Sequence, residues 1–126
     1  MTDWDATLAD LERRRQRSRA MGGADRLAAH RGKGKLDARA RVAHLLDDGS
    51  FRELGTLVGG DIAADGIVAG SGTIDGAPVM VGAEDFTTVA GTIGAGSNAK
   101  RYRIAELALR NKIPLVMLLE GAGFRP

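Results

Sequence analysis

Apolar and polar positions follow a strand-like pattern in the middle of the chain and a helix-like pattern nearer its end. Two runs, Ile67 to Ile74 and Ala77 to Ala83, flank Asp75-Gly76, a strong short signal for a β-hairpin. Glycines at positions 70 and 72 indicate a bulge or close packing of another backbone. A seven-residue run without polar side chains, Ile113 to Leu119, predicts a strand buried on both faces of a mainly parallel sheet.

Helical patterns occupy the start of the chain. Thr2 or Asp3 is a suitable N-cap for a first helix, which presents Trp4, Leu8 and Leu11 on one stripe. So narrow a stripe buries little surface, and we expect this helix to lie on another subunit or domain. Asp37 caps a second, short helix, which ends in the turn Asp47-Asp48-Gly49-Ser50.

A further helix is predicted to begin at Ser97 and end at Asn111, since Pro114 prevents its extension. Its apolar face is predicted to consist of Ala99, Tyr102, Ala105 and Leu109, joined by Leu107 and Ala108. Residues 57–66 are predicted to form a surface loop, and residues 84–96 a glycine-rich loop. The resulting order is β-β-loop-α-β, with the last strand parallel to its predecessor.

The composition narrows the class of protein. The 126 residues include no cysteine, which excludes disulfides and fits a reducing compartment. No apolar run approaches the roughly 20 residues of a membrane span, and the acidic start does not resemble a signal peptide. We therefore expect a cytoplasmic protein without a membrane partner. His30 and His44 lack metal-ligand spacing, so no metal site is predicted.

Charge is distributed unevenly along the chain. Residues 1–41 carry eleven Lys and Arg against six Asp and Glu, whereas the remainder is acidic. The five arginines between Arg13 and Arg19 have no interleaved aromatic residues, so we predict a solvated helix face and no nucleic-acid partner. The basic loop at residues 30–35, HRGKGK, lacks the spacing of a Walker A motif.

Residues 94–99, GAGSNA, match the pattern G-x-G-x-x-A and precede a predicted helix. In a Rossmann dinucleotide-binding unit such glycines approach a pyrophosphate, and Glu120 would accept a ribose hydroxyl. The preceding strand would be interrupted by Gly91. This interpretation is kept as a distant alternative.

A family resemblance covers about residues 20–126. The blocks GKGKLDARARVAHLLDDGSFRELG, GIVAGSGTIDGAPVMVGAEDFTTVAGTIG and KRYRIAELALRNKIPLVMLLEGAGFRP resemble the N-terminal half of carboxyltransferase (β) subunits of biotin-dependent acyl-CoA carboxylases, of the acetyl-, propionyl- and methylcrotonyl-CoA types. The resemblance implies an α/β fold, the N-terminal portion of a crotonase-like (ClpP-like) β-β-α spiral. Residues 1–35 would then be a basic helical segment, and residues 36–126 an incomplete carboxyltransferase domain.

The resemblance also implies a site in the last turn. The family's Ser-Gly-Gly-Ala-Arg matches residues 121–125, GAGFR. The backbone N–H groups of Ala122 and Gly123 would hold the thioester oxygen of acyl-CoA as it becomes an enolate oxygen. Ala122 and Phe124 depart from the family pattern, and Phe124 would reshape the acyl pocket.

Basic residues near this turn complete the implied substrate site. Lys100 and Arg101 would face the phosphates of CoA, and the alternative is that they lie on a solvated helix face. The implied substrate-binding set is Gly94, Lys100, Arg101, Gly121, Phe124 and Arg125. Glu84, Asp85 and Glu120 are the nearest acidic groups.

The implied activity is transfer of CO2 from carboxybiotin to the α-carbon of an acyl-CoA. Biotin would be carried by a partner biotin carboxylase or biotin carboxyl carrier subunit, and the subunits would form a homo-oligomer, a hexamer by resemblance. The second half of the family's site lies outside these residues, so the fragment alone is predicted to be inactive. Alternatives are an acyl-CoA decarboxylase subunit, a crotonase-type hydratase or isomerase, and a non-catalytic acyl-CoA-binding or assembly fragment.

Overall fold

One four-stranded sheet with helices on both faces forms the centre of the molecule. A computed structural model describes residues 2–126. The helices are α1 Asp3–Arg19, α2 Ala24–Gly32, α3 Ala38–Leu45 and α4 Ala95–Asn111, and the strands are β1 Arg52–Leu54, β2 Ile67–Ile74, β3 Ala77–Glu84 and β4 Leu115–Leu118. The strand order is β1-β2-β3-β4, with β1–β2–β3 antiparallel and β3–β4 parallel. The hairpin and the parallel last strand are therefore confirmed.

The hairpin turn follows from its local sequence. Asp75 and Gly76 both have positive φ, 49° and 79°, as a tight two-residue turn requires. The Asp47 carboxylate accepts hydrogen bonds from both backbone N–H groups at 2.9 Å. The strands pair in an uninterrupted register, so the glycines of β2 mark close packing and not a bulge. A Cβ at Gly72 would lie 2.5 Å from the Cδ1 atom of Leu46.

Alternate residues of the strands pack on opposite sides of the sheet. On one side α3 packs through Val42, and the buried cluster there comprises Ala38, Val42, Leu46, Val68, Val79, Val81 and Ala83. On the other side Ile104 of α4 packs in a cluster with Ala69, Met80 and Ala108. The structure is therefore three layers, α3, sheet and α4.

The last strand is less buried than its apolar sequence predicts. Val116 and Leu118 pack toward α3 and Met117 toward α4, so both faces are covered. However, β4 lies at the edge of the sheet and pairs only with β3 among residues 2–126. Leu119, just beyond it, is 64% exposed. Both faces of β4 are therefore covered as predicted, although its residues stay partly exposed. The prediction of a mainly parallel sheet is wrong, because among the strands of residues 2–126 only β3 and β4 pair in parallel.

The predicted start and apolar face of α4 are also corrected. The helix begins at Ala95, two residues before Ser97. Ala99, Tyr102, Ala105 and Leu109 are exposed, whereas Ala108 is buried and Leu107 packs beside it, as predicted. The other buried positions are Ser97, Lys100 and Ile104. Gly82 helps to decide this orientation, because a Cβ there would lie 2.9 Å from the Cδ1 atom of Ile104.

The N-terminal segment contains one helix that the sequence analysis missed. Residues 24–32 form α2, so His30 and Arg31 are helical and not part of a loop. Thr2 caps α1 in a capping box with Asp5. Trp4 and Leu8 are exposed. Docking of α1 on another subunit stays a prediction, as does the division between residues 35 and 36.

Two short 3₁₀ turns hold residues in the left-handed region. Ala63–Gly66 is buried, which corrects the last four residues of the predicted surface loop at 57–66, while most of residues 57–61 are exposed as predicted. Ala64 and Asp65 have φ of 49° and 51°. In the second turn, Val89–Gly91, Val89 and Ala90 have φ of 43° and 54°. Such residues cost about 1–3 kcal/mol each and persist where surrounding contacts hold them. Both turns contact the candidate site.

No helix within residues 2–126 is long and apolar enough to cross a membrane.

Candidate functional site

The glycine turn, residues 120–125 after β4, exposes backbone at the carboxyl end of the parallel strand pair. Gly121, Ala122, Gly123 and Phe124 are exposed, and Phe124 is 77% accessible. The Ala122 N–H donates to the Ala90 carbonyl at 3.0 Å, and the Ile93 N–H donates to the Gly123 carbonyl at 2.7 Å. The N–H groups of Gly123 and Phe124 make no hydrogen bond within the described residues 2–126. One of the two predicted oxyanion donors is therefore free, and the other anchors the turn.

The Glu84 carboxylate, at the end of β3, fixes the start of the glycine turn. Its Oε2 atom accepts from the backbone N–H of Glu120 at 2.6 Å and from that of Gly121. Its Oε1 atom accepts from Arg101 of α4 at 2.6 Å. Burial acts to raise the pKa of Glu84, but the hydrogen bonds from Arg101 and the two N–H groups lower that pKa below its ordinary value.

The Asp65 carboxylate fixes the end of the same turn. It accepts from the Arg125 guanidinium at 2.7 Å and from the Ser97 N–H at 2.5 Å. Arg125 also donates to the Thr92 carbonyl at 3.0 Å and lies directly over Gly94, where a side chain would collide with it. Burial acts to raise the pKa of Asp65, but Arg125 and the Ser97 N–H outweigh it and lower the pKa.

Lys100 and Arg101 both have partners inside the fold, and their predicted role toward the phosphates of CoA stays a prediction. Lys100 is 3% exposed, and its ammonium donates to the carbonyls of Ala64 at 2.8 Å and of Ile67. Burial lowers the pKa of Lys100 to about 8. Arg101 is held by Glu84. Like Arg125, both cations stabilise the segments that contact the glycine turn: Lys100 binds the 63–67 segment and Arg101 binds Glu84.

The remaining predicted residues also have internal partners. The Gly94 N–H donates to the Ser97 hydroxyl at 2.7 Å as the N-cap of α4. Glu120 lies near Lys35 at 3.2 Å, Arg41 at 3.5 Å and His30 at 3.6 Å. These contacts tie the N-terminal segment to the end of β4.

Asp85 is buried and accepts from Thr87 and Thr88, which leaves it a structural group. Among residues 2–126 no group of three or more His, Asp or Glu side chains is placed to hold a metal ion.

The likeness to known proteins identifies this arrangement. Residues 29–126 match the family described as carboxyl transferase domain. The chain belongs to that family. The Rossmann interpretation is therefore wrong, and the structure gives the physical reason: a 3₁₀ turn, not a strand, leads into Gly94, and Glu120 is occupied by basic side chains.

Relatives and solved structures of the carboxyl transferase family agree with this assignment. The chain is 38% identical over 128 residues to the propionyl-CoA carboxylase beta chain of Roseobacter denitrificans, covering 94% of this chain and 25% of that protein. It superposes on transcarboxylase 12S with a TM-score of 0.90 and 32% identity, covering 99% of this chain and 26% of that one. These matches confirm the predicted crotonase-like α/β fold.

A third likeness is to a Pseudomonas malonate decarboxylase hetero-tetramer. Its TM-score is 0.62 at 36% identity, over 71% of this chain and 39% of that one. The chain spans about a quarter of the length of its carboxylase relative.

The sequence analysis missed two groups that hold the glycine turn in place, the Asp65 carboxylate and the Ala90 carbonyl. Asp65 lies in a segment whose Gly, Ala and Asp content predicted a surface loop. The Ala90 carbonyl points toward the Ala122 N–H because Val89 and Ala90 have left-handed backbone conformations. The only local signals are the glycines that follow each left-handed pair, Gly66 and Gly91, both with positive φ.

Acid is expected to loosen the glycine turn. Because the folded-state pKa values of Glu84 and Asp65 are lowered, their stabilisation is complete above the ordinary values of 4.5 and 3.8 and is lost as pH falls through the folded values. Hydrogen exchange of the Glu120 and Gly121 amides, which donate to Glu84, should therefore lose protection below about pH 4.5. Glu84→Gln, which cannot titrate, should flatten this pH dependence; equal pH profiles would contradict the role of Glu84.

Proposed function

We propose that this chain forms part of the carboxyltransferase (β) component of a biotin-dependent acyl-CoA carboxylase. The observation that carries the proposal is the family match over residues 29–126, which ends in an exposed glycine turn with a free Gly123 N–H. The Roseobacter relative is a propionyl-CoA carboxylase beta chain, and one solved neighbour was determined with methylmalonyl-coenzyme A bound. An acyl-CoA is therefore the favoured substrate class.

The chemistry assigned to this chain is stabilisation of negative charge. Removing a proton from the α-carbon of a thioester moves charge to the carbonyl oxygen, and a preset N–H donor at that oxygen lowers the barrier. Gly123 is the donor, because it satisfies both the family correspondence and the need for a free N–H. Ala122 becomes a second donor when the substrate oxygen replaces the Ala90 carbonyl as its acceptor. Biotin, carried by a partner subunit, would supply the carboxyl group as CO2, and its ureido nitrogen would take the α-proton once CO2 has left.

The rest of the proposal concerns assembly and location. The transcarboxylase 12S neighbour is described as a hexamer, which supports a homo-oligomer. The partner is a biotin carboxylase or biotin carboxyl carrier subunit, and the location is the cytoplasm. The 126 residues by themselves would bind acyl-CoA weakly and would not catalyse transfer.

The test uses the natural polypeptide that contains these residues, with its intact mass determined first. We expect it to carboxylate acetyl- or propionyl-CoA from carboxybiotin. Absence of transfer with every acyl-CoA tried would refute the proposal and leave either the decarboxylation considered below or a binding or assembly role.

Gly123→Ala separates catalysis from binding. A Cβ at Gly123 meets no atom within 4 Å, but its φ of 99° lies outside the range that alanine prefers. The N–H should turn away from the substrate oxygen, lowering kcat about 100-fold with KM for acyl-CoA nearly unchanged. Gly49→Ala, also at positive φ and in open space, is the control and should leave kcat unchanged. An unaltered kcat in Gly123→Ala would remove the oxyanion role.

A second candidate function is decarboxylation of an acyl-CoA. The likeness to a malonate decarboxylase assembly favours it. The same turn would stabilise the enolate formed when CO2 leaves, so the direction of net transfer decides between the two. Release of CO2 from a carboxylated acyl-CoA without carboxylation activity would establish the second candidate.

A further inference from the structure

The buried side chain of Lys100 lies where helix α4 meets the end of β1 and the start of β2. Its ammonium donates to the backbone carbonyl of Ala64 at 2.8 Å and to that of Ile67. Its aliphatic part packs over Gly55, where a Cβ would lie 2.9 Å from the Cε atom of Lys100. The lysine therefore belongs to the interior, where a cation is unfavourable unless its surroundings compensate for lost water.

The charges around Lys100 compensate for its burial only in part. Glu53 in β1 and Asp65 in the 3₁₀ turn attract its ammonium, and Arg39 in α3 repels it. Glu53 is itself paired with Arg39 at 2.7 Å, and Asp65 with Arg125 at 2.7 Å. Burial therefore dominates and lowers the pKa of Lys100 to about 8. What the ammonium contributes to the fold is its two hydrogen bonds.

These hydrogen bonds hold a strained segment of backbone. Ala64 and Asp65 have left-handed φ values of 49° and 51°, which persist only where surrounding contacts hold them. The Ala64 carbonyl belongs to the peptide that leads into Asp65, and it accepts from the Ile67 N–H as well as from Lys100. Because a peptide group is planar, fixing this carbonyl fixes the direction in which Asp65 leaves the turn.

Asp65 passes this orientation on to the glycine turn. Its carboxylate accepts from the Ser97 N–H at 2.5 Å and from the Arg125 guanidinium at 2.7 Å, and its backbone carbonyl accepts from Arg125 at 3.1 Å. Arg125 lies two residues after Gly123, the residue with the free N–H. A continuous set of contacts therefore runs from Lys100 through Asp65 and Arg125 to the proposed oxyanion donor.

We propose that Lys100 is a positioning residue for the glycine turn: its ammonium fixes the 63–67 segment, so that Asp65 holds Arg125 and keeps the Gly123 N–H in place. Lys100 acts from inside the fold and does not touch the substrate. The effect on turnover rests on the proposed function, whereas the link from Lys100 to Asp65 can be measured without turnover.

Hydrogen exchange of the natural polypeptide measures that link. Lys100→Met keeps the aliphatic side chain and removes the ammonium. The Ser97 amide, which donates to Asp65, should exchange about tenfold faster, since the two hydrogen bonds of Lys100 are lost. The Gly121 amide, which donates to Glu84, should stay within twofold. The control Arg110→Met removes an exposed cation in the last turn of α4 and should change neither amide.

The pH dependence of the unaltered protein gives a second test, which needs no variant to fold. As pH rises through about 8, Lys100 loses its proton and becomes a weaker donor. We expect kcat to fall about tenfold by about pH 9.5, with KM for acyl-CoA nearly unchanged. In Lys100→Met kcat should be low at every pH and lack this alkaline fall.

Stability should change in the opposite direction over the same range. The folded-state pKa of Lys100 lies below the ordinary value of 10.5, so between about pH 8 and 10.5 the unfolded chain binds the proton more tightly. The free energy of unfolding of the unaltered protein, relative to Lys100→Met, should therefore rise with pH. A residue that only stabilised the fold would not lower kcat while stability increased.

The possible results distinguish Lys100 from the proposed function. Unchanged exchange at Ser97 in Lys100→Met, with a raised Kd for CoA, would overturn the proposal and favour contact of Lys100 with the CoA phosphates. Equal loss of protection at Ser97 and Gly121 would also overturn it, because Lys100 would then support the whole domain. Faster exchange at Ser97 alone, with no carboxylation by the unaltered protein, would support the link to Asp65 and refute the proposed function.

Discussion

Glu84→Ala should lower the free energy of unfolding of this domain by about 3–5 kcal/mol, the effect of removing one partner of a buried ion pair. The substitution leaves Arg101, whose side chain is 18% exposed, without its carboxylate. It also leaves the N–H groups of Glu120 and Gly121 without their acceptor. Denaturant unfolding measures the loss, and carboxylation should fall with it because the glycine turn is released.

A second ion pair on the same helix provides the control. Arg103 and Glu106 are 49% and 37% exposed, so Glu106→Ala should change the unfolding free energy by no more than about 0.5–1 kcal/mol. Adding Arg101→Met to Glu84→Ala should restore part of the stability, since no buried charge then lacks a partner. If Glu84→Ala were no more damaging than Glu106→Ala, Glu84 would not be the anchor of the turn.

Gly121→Ala should reduce kcat by about 100-fold or more, because displacing catalytic groups by about 1 Å has an effect of that size. A Cβ at Gly121 would overlap the Gly91 carbonyl oxygen and lie 2.7 Å from the Oε2 atom of Glu84. The Gly91 oxygen is backbone and cannot swing aside, so the turn itself must shift. Overpacking of this kind also costs about 1–3 kcal/mol of stability.

Ala122→Gly is the matched comparison for Gly121→Ala. It removes a methyl group from the neighbouring residue and keeps the N–H that donates to Ala90. Steady-state assays should show kcat within about threefold of the unaltered protein. Normal turnover in Gly121→Ala would mean that the close approach of Gly91 and Gly121 has no part in positioning the site.

Local rules account for the elements that the sequence predicted well. Asp75-Gly76 specifies its turn through backbone preferences of two residues, and Asp37 caps α3 through its own side chain, which accepts from the Ala40 N–H. The family resemblance predicted the fold class, the family and the position of the glycine turn. These features could be predicted because each depends only on neighbouring residues or on an ordered set of motifs.

Helix orientation could not be derived in the same way. Helix α4 has apolar residues on two faces, and the sequence favoured the one that contains Tyr102 and Leu109. The structure buries the face with Lys100 and Ile104, since Gly82 admits Ile104 and the Ala64 and Ile67 carbonyls satisfy the Lys100 ammonium. The amphipathic pattern of α4 alone could not predict this orientation, because the carbonyls that accept from Lys100 lie far away in the sequence.

The sequence by itself determined the hairpin, the caps, the parallel last strand and the family of this protein, because each depends on short-range preference or on motif order. Only the tertiary structure decided which cations are free to meet a ligand. Glu84 pairs with Arg101, 17 residues away, and Asp65 pairs with Arg125, 60 residues away. Arg26 and Lys33 make no ion pair within residues 2–126. Charge pairing over such separations depends on how the layers pack, which no local pattern encodes.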